Sequence, residues 1–151
     1  MLKKIISGGQ TGADQAGLRA GKALGIETGG WIPKGRRTDD GPMVVAMFED
    51  LGLKEHTSWA YPPRTEQNVL DSDGTVLFGN MDSPGCKLTI KLCKQHKRPY
   101  TTNPTTEELR TWIDTNGTET MNVAGNRERT NPGIEAHTFK TIAGLKKEQR
   151  T

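Results

Sequence analysis

The chain has 151 residues and a net charge of +3, from 21 Lys and Arg against 18 Asp and Glu. That length suits one domain, and so small a basic excess leaves no electrostatic footprint for nucleic acid. The longest apolar run extends only from Met43 to Phe48, too short for a membrane span, and Met1 to Ser7 lacks the apolar core of a signal peptide.

In chain order, the first strand is Lys3 to Ser7, and it ends in Gly8-Gly9-Gln10-Thr11-Gly12. A helix follows from Ala13 to Leu24, stopped by Gly25; its inner stripe of Ala13, Ala16, Gly17, Ala20 and Leu24 is small enough to lie close on a sheet. The second strand lies near Ile26 to Trp31. An irregular stretch then runs to Pro63, with one helical turn near Val44 to Leu51. A helix over Arg64 to Asp71 leads to a strand at Thr75 to Phe78, then a helix from Gly85 to His96 and a strand from Arg98 to Thr101. Thr105 and Glu108 have capping-box spacing and open a helix with Leu109, Trp112 and Ile113 inward; Asn116-Gly117 closes it. Met121 to Ala124 is the fifth strand. Asn131-Pro132 reads as the N-cap and first position of a final helix to about Gln149, with Lys146, Lys147 and Arg150 at its favourable end.

Five strands alternating with helices imply one three-layer α/β domain over residues 1–151. Its sheet would be mainly parallel, five-stranded, covered on both faces, and ordered 2-1-3-4-5. Cys86 and Cys93 fall on one helix with ~10 Å of rise between them, too far apart for a disulfide. Unpaired cysteines point to a reducing, cytoplasmic compartment.

In a sheet of this kind ligands bind beyond the carboxyl ends of the strands. After strand one come Gly8, Gly9, Gln10, Thr11, Gly12 and Asp14, a glycine turn opening a helix. Peptide N–H groups there suit an anion; the plain alternative is a tight turn. No Gly-Lys-Ser/Thr follows, so it is no P-loop, and the dinucleotide fingerprint lacks its first glycine and its acidic residue. After strand two come Gly30, Trp31, Lys34, Gly35, Arg36 and Arg37, cations suited to anionic oxygens. Trp31 is placed either to stack on a planar ring or in the core. Arg64, Asn68 and Asp71 share one helical face. Ser83 and Gly85 stand at another helix entrance, and Asn126 and Arg127 at the exit of the last strand.

Gly-rich exits carrying Arg, Asn, Ser and Thr point to a small phosphate-bearing ligand. The expected cradle is the backbone of Gly9 to Gly12 and of Ser83 to Gly85, with Lys34, Arg37 or Arg127 as charged clamp. His56, His96 and His137 adjoin none of these motifs, and no metal-ligand spacing occurs. Cys86 sits at a helix start, where a thiolate is favoured, but without a nearby His it reads more readily as a buried core cysteine.

The same residues resemble a known family. Ile5 to Asp14, Thr28-Gly29-Gly30-Trp31, Pro33 to Arg37, Asp40-Gly41-Pro42, Arg64-Thr65 with Asn68, Asp71 to Thr75, and Asn122 to Gly125 with Arg127-Glu128 look like the molybdenum-cofactor carrier proteins. The likeness is end to end and weakest over Met43 to Tyr61. It implies a Rossmann-like α/β domain of the lysine-decarboxylase-like, nucleotide-signal-binding superfamily, forming homodimers or homotetramers. The ligand it implies is molybdenum cofactor, an anionic pterin phosphate, held by a carrier rather than an enzyme. A nucleotide-derived signal of the ADP-ribose or cyclic nucleotide type is the alternative ligand. The superfamily's nucleoside monophosphate phosphoribohydrolases carry a Gly-rich stretch followed by Glu after strand three. Here Asp82-Ser83-Pro84-Gly85-Cys86 is followed by Lys87 to Lys91, which contains no acid, so that chemistry lacks its carboxylate.

Overall fold

The computed structural model describes residues 1–146. The strands are β1 (Lys4–Ser7), β2 (Glu27–Ile32), β3 (Arg37–Thr38), β4 (Gly41–Pro42), β5 (Leu53–Glu55), β6 (Gly74–Phe78), β7 (Tyr100–Thr102) and β8 (Thr120–Gly125). The helices are α1 (Ala13–Leu24), α2 (Val45–Asp50), α3 (Tyr61–Leu70), α4 (Pro84–Gln95), α5 (Thr106–Asn116) and α6 (Ile134–Ala143). β3 and β4 form a small antiparallel ribbon; the other six strands make one sheet, ordered β5-β2-β1-β8-β6-β7, with every pairing parallel.

Two expectations are corrected. The sheet has six strands, because Leu53–Glu55 adds an edge strand to β2. That segment hides in the sequence because it is short and only Leu53 of it is buried. The order is also different: the last strand, β8, lies between β1 and β6 instead of at the edge. The burial of Met121, Asn122 and Val123, on both faces of the strand, is what a central position demands.

Helices cover both faces. Ile5, Val76, Phe78, Met121 and Val123 pack with Ala13 and Ala20 of α1, Leu109 and Ile113 of α5, and Ile134 and Ile142 of α6. On the opposite face Val69 of α3 meets Leu92 and Cys93 of α4. The small stripe of α1 has the role read from it: a Cβ on Gly17 would lie 2.6 Å from Val123 Cβ, so α1 sits directly on the sheet.

The helix ends follow local chemistry. Thr105 and Glu108 form the expected reciprocal capping box, and Gly117 closes α5 in the left-handed conformation. Ser83 caps α4, its hydroxyl accepting from the Cys86 N–H. α3 starts at Tyr61, earlier than expected, because Pro62 and Pro63 occupy its first turn, where a missing N–H costs nothing. α6 starts after Gly133 rather than at Asn131-Pro132, and Glu128 accepts from the Gly133 and Glu135 N–H groups there. The expected tail of that helix, with Lys147 and Arg150, lies outside the described residues. Cys86 and Cys93 are both free and buried. Among the described residues no helix is long and apolar enough to cross a membrane.

Thr105→Ala should cost ~1 kcal/mol, the usual value of an N-cap. Gly125→Ala should cost more, above ~2 kcal/mol, since Gly125 has φ 149° and an added Cβ would overlap the Phe78 carbonyl. Urea denaturation of the two variants checks both size and rank.

Candidate functional site

The chain leaves β1 toward β2 and leaves β6 toward β7, in opposite directions across the sheet. A crevice therefore opens beyond the carboxyl ends of β1, β8 and β6, the place where such sheets bind ligands. A cleft of about 100 Å³ lies there, walled by the β1–α1 loop, by α3 and α4, and by the end of β8. Seven of the expected residues line it: Gly8, Gln10, Asp14, Arg64, Asn68, Gly85 and Arg127.

Arg64 is the centre of the cleft. It is 9% exposed, and its guanidinium lies so close to the β1–α1 loop that a Cβ on Gly8 would be 2.6 Å from its carbon. Its Nη2 is 3.9 Å from Asp14 Oδ2, and its Nη1 donates to the Thr65 hydroxyl. Its Nε is buried without a hydrogen-bond partner. Gln10 offers a second such donor. Its Oε1 accepts from the N–H groups of Thr11 (3.0 Å) and Asp39 (2.7 Å), which fixes the amide orientation. The Nε2 donors are left buried and unpartnered.

Positive charge converges at the mouth. The guanidinium carbons of Arg37, Arg127 and Arg64 lie 4.4, 5.1 and 5.2 Å from the centre of the Tyr61 ring. Arg127 is also paired at 3.1 Å with Asp39 of the β3–β4 ribbon, and Arg129 joins the same carboxylate at 3.3 Å. Asp14 is buried, and its pKa is pushed up to about 6 by loss of solvation, against the opposing pull of Arg64. Burial likewise pushes the Cys86 thiol up, so the thiol form persists at neutral pH.

Three amides of the backbone cradle expected at Gly9 to Gly12 are already used. The Gly9 N–H donates to Ser7 Oγ, the Gln10 N–H to Asp14 Oδ2 and the Thr11 N–H to Gln10 Oε1. Gly9 faces the core, its Cβ position 2.8 Å from Ile32 Cδ1, and a Cβ on Gly12 would overlap the Asn126 carbonyl. These glycines shape the loop; side chains supply the free donors.

Other expected residues are placed elsewhere. The Trp31 indole N–H donates to Asp71 at 2.9 Å, and the ring meets His56 edge-on; both Trp31 and Asp71 line a separate groove with Gly30. Lys34 and Gly35 belong to a 3-10 turn against Trp59 and Glu55. Asn126 and Ser83 bind each other: Asn126 Nδ2 donates to Ser83 Oγ at 3.1 Å, while Asn126 Oδ1 accepts from the Asn80 N–H at 2.6 Å. They hold the β6–α4 loop against the β8 exit. Asn68, though at the cleft wall, exchanges two hydrogen bonds with the Trp31 backbone. Tyr61, Thr65, Thr89 and Asn122 also line the cleft and were not foreseen. Reading Tyr61-Pro62-Pro63-Arg64 as a helix start would have placed Tyr61 one turn before Arg64 and Thr65. Among the described residues no cluster of three or more His, Cys, Asp or Glu is placed to hold a metal ion.

Residues 5–145 match the family described as "cpYpsA: Circularly permutated YpsA SLOG family". The chain belongs to the circularly permutated YpsA SLOG family. It is similar to the "Putative molybdenum carrier protein" of Syntrophus aciditrophicus SB, known from a crystal structure at 1.45 Å. The two are 34% identical, the match covers 96% of this chain and 94% of that one, and the TM-score is 0.85. A likeness to (E)-4-hydroxy-3-methyl-but-2-enyl diphosphate reductase, at 14% identity over 95% of this chain and 59% of that one, has a TM-score of 0.39 and carries no argument. No curated protein sequence matches. In this SLOG chain most of the cleft is thus built from segments that carried the resemblance, while Tyr61 and the α4 residues Gly85, Leu88 and Thr89 lie outside them.

Asp14 links the site to stability. Its folded pKa of about 6 exceeds the ordinary 3.8, so its contribution to stability is present below pH ~4 and is lost as pH rises through ~6. Relative to Asp14→Asn, the wild type should lose ~2.5 kcal/mol between pH 4 and pH 8. Parallel denaturation of both proteins across that range measures the change, whatever constant offset the lost Arg64 contact adds. A constant gap would mean that Asp14 titrates normally.

Proposed function

We propose that this protein binds a small phosphate-bearing anion, its phosphoryl group in the cleft and its planar ring toward Tyr61. The observation that carries this reading is a cleft lined by Arg64, Gln10 and Arg127, in which the Arg64 Nε and Gln10 Nε2 donors are buried without partners and a third guanidinium, Arg37, lies over the Tyr61 ring of the wall. A buried donor left unmatched costs ~1–3 kcal/mol, a cost that an entering oxyanion removes. Four guanidiniums, Arg37, Arg64, Arg127 and Arg129, are set against two carboxylates, Asp14 and Asp39, so positive charge is in excess.

The cleft volume of about 100 Å³ lies below the ~300–1,000 Å³ of pockets that enclose a drug-sized ligand. It suits a headgroup, with the remainder of the ligand outside. Molybdenum cofactor, a pterin phosphate, meets these terms as cargo: Arg64, Gln10 and Arg127 would hold its phosphate. The similarity to the molybdenum carrier favours it over a nucleotide-derived signal, whose purine is equally flat.

A thermal-shift panel of pterin phosphates, AMP, ADP-ribose and cyclic dinucleotides tests the proposal. Stabilisation by pterin phosphates beyond that by nucleotides is expected; the reverse ranking replaces carrier by signal binder, and no shift with any member rejects the anion cleft. Arg37→Ala and Arg127→Ala should each weaken binding about tenfold or more, because a hydrogen bond to a charged group is worth ~1.5–3 kcal/mol and ~1.4 kcal/mol is a decade. Lys87→Ala and Lys94→Ala, on α4, are the controls and should change affinity less than about twofold. Added salt should reduce affinity only modestly, unlike a surface that neutralises many phosphates.

A further inference from the structure

An anion cleft with a carboxyl group in its wall poses a problem of like charge. Asp14 lines the same cleft as Arg64 and Gln10, is 6% exposed, and stands at the start of α1 facing inward. An oxyanion drawn to Arg64 comes beside Asp14, whose Oδ2 is 3.9 Å from the same guanidinium. Two buried anions at such distance repel unless one carries a proton that bridges them.

We propose that Asp14 makes this cleft selective for oxyanions that bring a proton, inorganic phosphate and, at about pH 6, its monoesters, over those that cannot, sulfate and phosphodiesters. The inference rests on the anion-cleft reading and names the ligand class within it. When the ligand carries the proton, its P–OH donates to the Asp14 carboxylate, while its other oxygens accept from Arg64 and Gln10. A ligand that arrives without a proton binds only when one is taken up at the Asp14 carboxylate, which costs affinity as pH rises above ~6.

The surroundings of Asp14 support a shared proton. Arg64 of α3 and Arg127 of the loop after β8 favour its charged form, as do the N–H groups of Gln10 and Gly8. Cys86 of α4 is the further titratable group that feels it. Burial outweighs these and holds the pKa at about 6. A phosphate monoester loses its second proton at about the same pH, ~6. Donor and acceptor are therefore matched, and binding of a monoester above pH ~7 takes up one proton, with affinity falling up to about tenfold per pH unit.

Inorganic phosphate and sulfate are the probes, because phosphate keeps at least one proton from pH 5 to pH 8 and sulfate has none. Calorimetric titration of the wild type at pH 8 should show phosphate binding at least about tenfold more tightly than sulfate. At pH 5, where Asp14 is itself protonated, the ratio should fall toward one. Asp14→Asn, whose amide donates to either anion, should bind both alike at pH 8. Equal affinity for phosphate and sulfate in the wild type at pH 8 overturns the inference and leaves the cleft standing. An Asp14→Asn protein that folds and keeps the wild-type preference also overturns it. Failure of both anions to bind the wild type at either pH overturns the anion cleft, and this inference with it. The pH dependence of the wild-type ratio decides the matter even if the variant does not fold.

Discussion

Burying a guanidinium requires compensating contacts, and Arg64 reaches those of Asp14 and Thr65 because residue 8 is glycine. A Cβ on Gly8 would lie 2.6 Å from the guanidinium carbon, so that Arg64 would have to move. With hydrogen there, the charge lies against the loop that ends β1, within reach of Asp14 and Thr65. α3 is thereby tied to the start of α1 across the carboxyl edge of the sheet. Asn68, one turn further along α3, ties the same helix to β2 through the Trp31 backbone.

The remaining walls are held by side-chain amides that substitute for backbone pairing. Gln10 Oε1 joins the β1–α1 loop to the β3–β4 ribbon through the Asp39 N–H. Asp39 in turn anchors Arg127 and Arg129 of the loop after β8. Asn126 joins that loop to the β6–α4 loop. Each contact satisfies a polar group that burial would otherwise leave unmatched. Together with the backbone bond from the Ala13 N–H to the Asn126 carbonyl they fix the separation of three loops that follow neighbouring strands.

Two sources of positive potential compete at this edge, helix N-termini and guanidinium groups. A helix end contributes ~0.3–1 kcal/mol toward an anion when exposed and up to ~2 when partly buried. In α1 the carboxylate of Asp14 already occupies that end, accepting from Gln10 N–H. The guanidiniums of Arg37, Arg64 and Arg127 are the larger positive groups at this edge, and Gly8 and Gly9 act through shape, letting the loop close against Arg64 and Ile32.

From the sequence alone, the alternation of strands and helices, the capping box at Thr105, the close-packing face of α1 and the core placement of both cysteines were legible, because each depends on spacing over a few residues. So were seven cleft residues, from Gly8 to Arg127, because glycine and charge at strand exits are local signals. Strand order was not legible. β8 enters between β1 and β6 through long-range pairing, and no short window of sequence encodes which strands become neighbours. The β5 edge strand was hidden by its single buried residue. The fate of the Gly9 to Thr11 amides was hidden for a related reason: glycine turns look alike whether their N–H groups face a ligand or Ser7, Asp14 and Gln10. Only the folded chain, by bringing α3 against the β1–α1 loop, decided that Tyr61 would gather three arginines and that Asp14 would lie buried beside one of them.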